Sequence, residues 1–213
     1  MDFASELNAV LPADLPNREL VIEKSARHLE LIVEANQFLN LTRITTPREA
    51  AIKHVLDSVI PWRLFAGAKH VLDAGTGAGF PGIPLALVLP TIRFTLAESV
   101  QKKARFVESA LAALGLPNVA VSPVRAEDIG KTGEMDVITA RAFAPLSRAL
   151  ELLGPAVGKG SKALLYKGPD LDHEIAAAQR EMKKFRAEAV IVSRYDLPDN
   201  AGSRAIVQIS LRA

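Results

Sequence analysis

The ten residues Asp73-Ala74-Gly75-Thr76-Gly77-Ala78-Gly79-Phe80-Pro81-Gly82 restrict the fold of this chain more than any others. They follow a short apolar run, His70-Val71-Leu72, and precede a second, Ile83 to Leu89, that stops at Pro90. The pattern is a strand, a glycine-rich turn and a short helix. Glycine takes positive φ without steric cost and lets the backbone approach a ligand closely. At the carboxyl end of a parallel strand, this is where open α/β sheets bind nucleotide-like ligands. A plain tight turn also accepts glycine, but four glycines within eight residues at a strand-to-helix junction favour a ligand cradle.

The same alternation continues downstream. The pattern predicts strands at Arg93 to Ala97, Val119 to Val124, Asp136 to Ala140 and Lys162 to Tyr166. It predicts helices at Gln101 to Leu114, ended by Gly115, at Leu146 to Leu153, ended by Gly154-Pro155, and at Leu171 to Lys184. Two last strands, Ala189 to Ser193 and Ala205 to Leu211, flank a turn-rich loop, Leu197 to Ser203, and read as a hairpin. Upstream, Ile22, Ala26, Leu29 and Val33 recur at helical spacing, with Glu23, Arg27, Glu30 and Glu34 on another face. Thr46-Pro47-Arg48-Glu49 is a capping box with proline at the first helical position, opening a helix expected to end near Ile60, before Pro61. The expected fold is α/β and Rossmann-like. A mostly parallel sheet is covered on both faces, closed by a C-terminal antiparallel hairpin and preceded by N-terminal helices. A chain of 213 residues has room for one such domain, residues 66–213, with a helical extension, residues 1–65, packed on it.

The register Asp-x-Gly-x-Gly-x-Gly fits an S-adenosylmethionine (SAM) loop, which makes Asp73, Gly75, Gly77 and Gly79 candidate cofactor residues and the fold a class I methyltransferase. A dinucleotide GxGxxG match at Gly77, Gly79 and Gly82 starts late relative to the strand. In the earlier register Phe80 stands where glycine or alanine is needed, and no second domain is left for a hydride acceptor. No Gly-Lys-Ser/Thr follows the glycines, which excludes a Walker loop. Glu98 ends the second strand. It reads either as a solvated acid or as the acceptor for ribose hydroxyls, and its distance from the glycines favours the ribose. Arg125-Ala126-Glu127-Asp128 ends the third strand, Arg141 the fourth and Lys167-Gly168 the fifth. Parallel strands share one carboxyl edge, so Arg125, Arg141 and Lys167 are expected to rim one crevice. Each alone is an ordinary surface charge, but three at one edge suit an anionic partner such as RNA phosphate.

What the chain lacks narrows the chemistry. There is no cysteine, which removes disulfides, thiolate metal sites, radical-SAM clusters and the covalent route to pyrimidine C5 methylation. The four histidines show no metal-ligand spacing, so no metal is expected. The net charge is only +2, so a nucleic-acid site must come from local clustering. The Asn/Asp-Pro-Pro-aromatic turn of amino-group methyltransferases is replaced by Arg141-Ala142-Phe143-Ala144-Pro145. Carboxyl, hydroxyl and ring-nitrogen acceptors remain. The start is acidic and lacks a signal run, and no apolar run reaches about 20 residues. A soluble, cytoplasmic protein without membrane contact is expected, and with no apolar stripe left unused, a monomer.

The segment 73–84, ending Phe80-Pro81-Gly82-Ile83-Pro84, resembles the signature of the RsmG family, also called glucose-inhibited division protein B. Asn40-Leu41-Thr42 and His54-Val55-Leu56-Asp57-Ser58 resemble its upstream motifs. Arg125-Ala126-Glu127, Arg141-Ala142 and Lys167-Gly168 resemble its downstream ones. The likeness covers about residues 36–168 in order. It implies a bacterial methyltransferase that uses SAM, leaving S-adenosylhomocysteine, to methylate guanine N7 in the 530 loop of 16S rRNA within the small ribosomal subunit. The resemblance also implies cofactor contacts at Gly75, Phe80, Ala126, Glu127 and Arg141. Thr76 departs from the frequent serine, and Glu98-Ser99 replaces a more usual Asp-Ser.

Guanine N7 presents a lone pair and no proton, so transfer to it needs no general base. Arg125, Arg141 and Lys167 would orient RNA and point away from a base that gains positive charge. His54, Asp57 and Ser58 share a helical face and read either as the substrate mouth or as a network tying the N-terminal helices to the sheet. Phe80 reads as packing on cofactor, on core or on both. Lys102, Lys103 and Arg105 read as an RNA track or a solvated face. Two other functions stay open: an RNA-binding assembly factor with a relict SAM site, and a methyltransferase for a small molecule.

Overall fold

The computed structural model describes residues 2–130, 132 and 134–212, so residues 1 and 213 of the two expected segments lie outside it. Seven strands form one sheet in the order β3-β2-β1-β4-β5-β7-β6. Strands β1 (His70–Ala74), β2 (Arg93–Ala97), β3 (Val119–Ser122), β4 (Val137–Arg141) and β5 (Lys162–Lys167) are parallel, and β7 (Gly202–Leu211) and β6 (Ala187–Leu197) close the sheet as an antiparallel hairpin. This is the expected architecture. The hairpin is longer than the sequence indicates, because pairing runs on to Leu197↔Gly202 and leaves only residues 198–201 for the turn.

Side chains alternate across a strand, so each strand feeds two cores. Val71, Phe94, Leu96, Val137, Leu164 and Tyr166 face one of them, beneath α1 (Phe3–Val10), α2 (Arg18–Leu39), α5 (Gly82–Val88) and α6 (Gln101–Leu114). Leu72, Ala97, Ile138, Ala163, Leu165 and Val207 face the other, beneath α7 (Ala126–Gly130), α8 (Leu146–Val157), α9 (Leu171–Ala177) and α10 (Gln179–Phe185). The N-terminal helices share the first core with the sheet.

Several helices depart from expectation, each for a local reason. Helix α1 is capped by Asp2, whose Oδ1 accepts from Ser5 N at 2.9 Å, and it buries Phe3 and Leu7 one turn apart. On α2 the buried stripe is Val21, Ser25, His28, Leu29 and Ile32, so Ile22 and Val33 only flank it. Thr46 makes no side-chain cap, and Glu49 instead accepts from Lys53 Nζ at 2.6 Å. The helix it opens has three parts: α3 (Pro47–Ala50), a π-helical turn (Ala51–Leu56) and α4 (Asp57–Val59). Helix α8 runs through Gly154-Pro155 to Val157. Gly154 serves contact there, since a Cβ on it would lie 2.5 Å from the Phe185 ring. The single helix expected over 171–184 breaks at Ala178, which is buried at ψ 8°.

No helix among the described residues is long and apolar enough to cross a membrane.

Candidate active site

The carboxyl ends of β1 to β5 converge on the glycine turn. Gly75, Gly77 and Gly79 take φ of 70°, 61° and 102°, which L side chains rarely adopt. Gly75 and Thr76 both donate to Ala97 O, at 3.0 and 3.1 Å, which locks the turn to β2. At Gly82 proximity is the reason for glycine: a Cβ would sit 2.2 Å from Leu96 Cδ2 and 2.7 Å from Asp73 Oδ2.

Asp73 and Glu98 hold the turn from behind. Asp73 Oδ2 accepts from Thr76 Oγ1 at 2.7 Å and from Gly82 N at 2.9 Å, while its buried Oδ1 has no partner among the described residues. Burial pushes this carboxyl up to about 6, against the hydrogen bonds from Thr76 and Gly82 and the Arg141 charge. Glu98 is buried and receives Gly77 N at 3.1 Å and Val100 N at 2.8 Å. Among the described residues, one acceptor position on each of its oxygens stays free.

Three adjoining hollows follow the sheet edge. One of about 140 Å³ is lined by Gly75, Ser99, Val124, Ala126, Glu127 and Phe143. The next, about 250 Å³, is lined by Leu41, Thr42, His54, Gly77, Phe80 and Ala142, and it shares Gly75 with the first. The third, about 360 Å³, shares His54, Arg141 and Ala142 with the second and reaches Lys53, Asp57 and Arg204. A larger cavity, about 800 Å³, lies elsewhere, between α10 and the start of β6, lined by Met182, Lys183, Arg186 and Arg212. Ala187 pairs with Leu211 at the opposite edge of the sheet from Lys167, so no parallel-strand carboxyl end reaches that cavity.

The structure brings Asp73, Gly75, Gly77, Gly79, Phe80, Glu98, Ala126, Glu127 and Arg141 to one edge. It does not leave the three cations alike. Arg125 stands out, with a side chain 72% exposed and only a 3.7 Å approach to Glu127. Arg141 turns inward, where Nη1 donates to Lys53 O at 2.7 Å and His54 O at 3.3 Å and pairs with Asp57 Oδ2 at 3.3 Å. Its guanidinium also lies 5.3 Å from the Phe80 ring centroid. Lys167 donates to Glu174 Oε2 at 2.6 Å and to Ala144 O, with 9% of its side chain exposed. Glu174 also accepts from Leu146 N at 2.7 Å, so Lys167 helps fix the start of α8. Arg141 and Lys167 line the third hollow and Arg125 the first, as a shared rim requires, but only Arg125 keeps its charge exposed, because Arg141 meets Asp57 and Lys167 meets Glu174.

The face carrying His54, Asp57 and Ser58 forms the network that ties the helix to the sheet, and it also borders the hollows. Asp57, 2% exposed, accepts from Tyr195 OH at 3.0 Å and faces Arg204 Nε at 3.5 Å. Tyr166 OH donates to Ser58 O at 2.7 Å. These contacts tie the helix to β5, β6 and β7. His54 lines the central hollow, stacked on Phe80 at 4.6 Å and bonded to Thr42 Oγ1 at 3.1 Å. Burial, with the nearby Arg141 charge, pushes His54 down to about 3, so its ring is neutral. His28, which the sequence left without a role, lies beneath the turn, where its Nε2 donates to Ala78 O at 2.8 Å. Its place at helical spacing from Ser25 and Ile32 was the available signal. Phe143 was missed as a lining residue for want of any pattern around it.

Solved structures with this architecture include several named as methyltransferases or crystallised with SAM. One is the O-methyltransferase TomG from Streptomyces achromogenes in complex with SAM, with TM-score 0.59 and 18% identity, covering 87% of this chain and 90% of that one. Another is a variant of MtNAS in complex with SAM, with TM-score 0.60 and 16% identity, covering 100% and 85%. The fold is that of the class I SAM-dependent methyltransferases.

Sequence comparison is more specific. The model of the rRNA small subunit methyltransferase G family matches residues 21–201. A Solibacter usitatus protein named ribosomal RNA small subunit methyltransferase G is 63% identical over 209 residues, 98% of this chain and 100% of that protein. A Carboxydothermus hydrogenoformans protein of the same name is 36% identical over 192 residues, covering 87% and 81%. The chain belongs to the rRNA small subunit methyltransferase G family.

Proposed function

We propose that this protein transfers a methyl group from SAM to N7 of a guanine in the 530 loop of 16S rRNA. Identity of 63% over 98% of the chain to a protein named as a small-subunit rRNA methyltransferase carries the rRNA part of the reading, and the resemblance of residues 73–84 to the family signature supports guanine N7 and the 530 loop. The residues present fit the cofactor. Gly75 and Gly77 leave the hollow clear of side chains, Glu98 keeps free acceptor positions near the turn, and the unpartnered Oδ1 of Asp73 calls for a donor. Gly75, Gly77, Phe80, Ala126 and Glu127 would hold SAM, with Asp73, Gly79 and Glu98 shaping the turn and Arg141 bracing Phe80. When bound, SAM supplies an electrophilic methyl on a sulfonium.

Guanine N7 carries no proton, so the protein's part is to align and to exclude water. Alignment of this kind lowers a barrier by up to about 7–11 kcal/mol. Arg141 and Lys167 have their charges matched by Asp57 and Glu174, which removes two uncompensated cations from beside a base that turns positive. Neutral His54 adds none.

Radiolabelled SAM incubated with undermodified small-subunit RNA tests this, with naked RNA, assembly particles and complete subunits in parallel. Chemical cleavage at 7-methylguanine should locate the label in the 530 loop. Label at another atom or loop overturns the stated specificity. RNA binding without transfer would make the protein an assembly factor, and transfer only to small molecules would remove RNA as substrate.

A further inference from the structure

Phe38 is the outlier of the surface. Its residue is 83% exposed, against 41% to 49% for the other exposed large apolar side chains, and it joins neither core. Its neighbours are held firmly. Helix α2 ends at Leu39, and Asn40 turns the chain at φ 45°. Asn36 then clamps the return: Oδ1 accepts from Leu41 N at 2.6 Å and Thr42 N at 3.1 Å, and Nδ2 donates to Thr42 O at 2.8 Å. Leu41 and Thr42 thereby enter the wall of the central hollow while Phe38 stays outside. Three residues separate Phe38 from Leu41, a span of at most about 11 Å between their Cα atoms.

Exposed cations accompany it. Arg43, next after Thr42, is exposed and makes no ion pair among the described residues. At the ends of β2 and β3, two other exposed apolar side chains are close in sequence to cations, Val100 to Lys102 and Val124 to Arg125. A lone ring and scattered valines, each with a cation close in sequence, do not form the continuous apolar patch of a protein interface. They match a single-stranded nucleic acid, which offers the face of each base for stacking and a phosphate beside it.

We infer that Phe38 is a stacking platform for a base of the substrate RNA at the mouth of the cavity, with Arg43 meeting the adjoining phosphate. The inference rests on the reading of RNA as substrate. It assigns recognition to the N-terminal segment, outside the glycine turn and the strand ends.

Undermethylated small-subunit RNA, naked and as particles, is the probe, with methylation kinetics and filter binding measured side by side. Phe38→Ala should raise KM for RNA and weaken RNA binding about tenfold, the loss expected for one base–aromatic stack. The value of kcat, SAM affinity and melting temperature should stay at wild-type levels. Phe38→Trp should restore binding and Phe38→Leu should not, a distinction that an apolar packing role would not make. Arg43→Ala should reduce the salt dependence of binding by about one ion. Unchanged KM and RNA affinity in Phe38→Ala, or full activity in Phe38→Leu, overturns the inference. A wild-type protein that binds RNA without methylating it overturns the proposed function, while the binding series still decides Phe38. No RNA binding at all overturns both.

Discussion

Beneath α7 to α10 the core is plain: Leu146, Leu150, Leu153, Val157, Leu165 and Val207 pack with no titratable group among them. On the opposite face, beneath α1 to α6, the sheet buries His28, His54, Asp57, Asp73, Glu98 and Tyr166. Strand alternation explains the segregation. Asp73, Glu98, Arg141 and Tyr166 continue the apolar rows of Val71, Leu96, Val137 and Leu164 on that same face, at the end where the rows meet the site. One face supplies stability through area removed from water. The other accepts costly polar burial to hold the turn and the strand ends in one geometry.

That contrast can be broken from either side. The largest effect is expected for Asp57→Ala, which removes a buried carboxylate and leaves the half-buried Arg141 without its ion pair and Tyr195 without its side-chain acceptor. Breaking a buried pair in this way costs about 3–5 kcal/mol. The melting temperature should fall by about ten degrees and SAM affinity should fall with it. Leu150→Ala, on the plain face, should cost about 2–5 kcal/mol and leave SAM affinity at the wild-type value, checked by calorimetry on the folded variant. Equal losses of affinity in both variants would erase the distinction between the faces. Gly82→Ala should cost about 1–3 kcal/mol through overpacking against Leu96, and it should weaken SAM binding by displacing Asp73.

The smallest expected effect is the response to acid. His28 and His54 are pushed down to about 4 and about 3, chiefly by burial, so each stabilises the folded state fully only above the ordinary histidine range near 6.5. That stability is lost as pH falls from 6.5 toward the folded values. Asp73, raised to about 6, works the other way and gains stability as pH falls from about 6 to its ordinary 3.8. Two groups against one leave a net loss between pH 6.5 and 4, read as a lower melting temperature at pH 5 than at pH 7.5. Hydrogen exchange should show the loosening in α2 and the glycine turn before α8.

The glycine turn and the acids behind it were legible in the sequence because their causes are local. Positive φ demands glycine, and a parallel strand delivers its last residue to a shared edge. The directions of Arg141 and Lys167 were not legible. Arg141 bonds the carbonyl of Lys53, 88 residues away, and Lys167 finds Glu174 only because α9 folds back over β5. The π-helical turn left no pattern in Ala51 to Leu56, and the guanidinium that meets its Lys53 and His54 carbonyls comes from a residue far along the chain. Helix α1 is absent from the sequence expectations, although Asp2 and the Phe3, Leu7 spacing carry its signal. Proline misled at α8, where Gly154 exists to admit the Phe185 ring and not to stop a helix.

The bond between Arg141 and the π-helical turn fastens the tip of the fourth strand to the N-terminal helices. Asp57 extends the fastening to the closing hairpin through Tyr195 and Arg204. Floor and roof of the hollow are thus cross-braced by side chains from both ends of the chain. Under the proposed function, a base entering there would meet an aperture shaped by these bonds, and the work of unstacking and reaching would fall on the RNA.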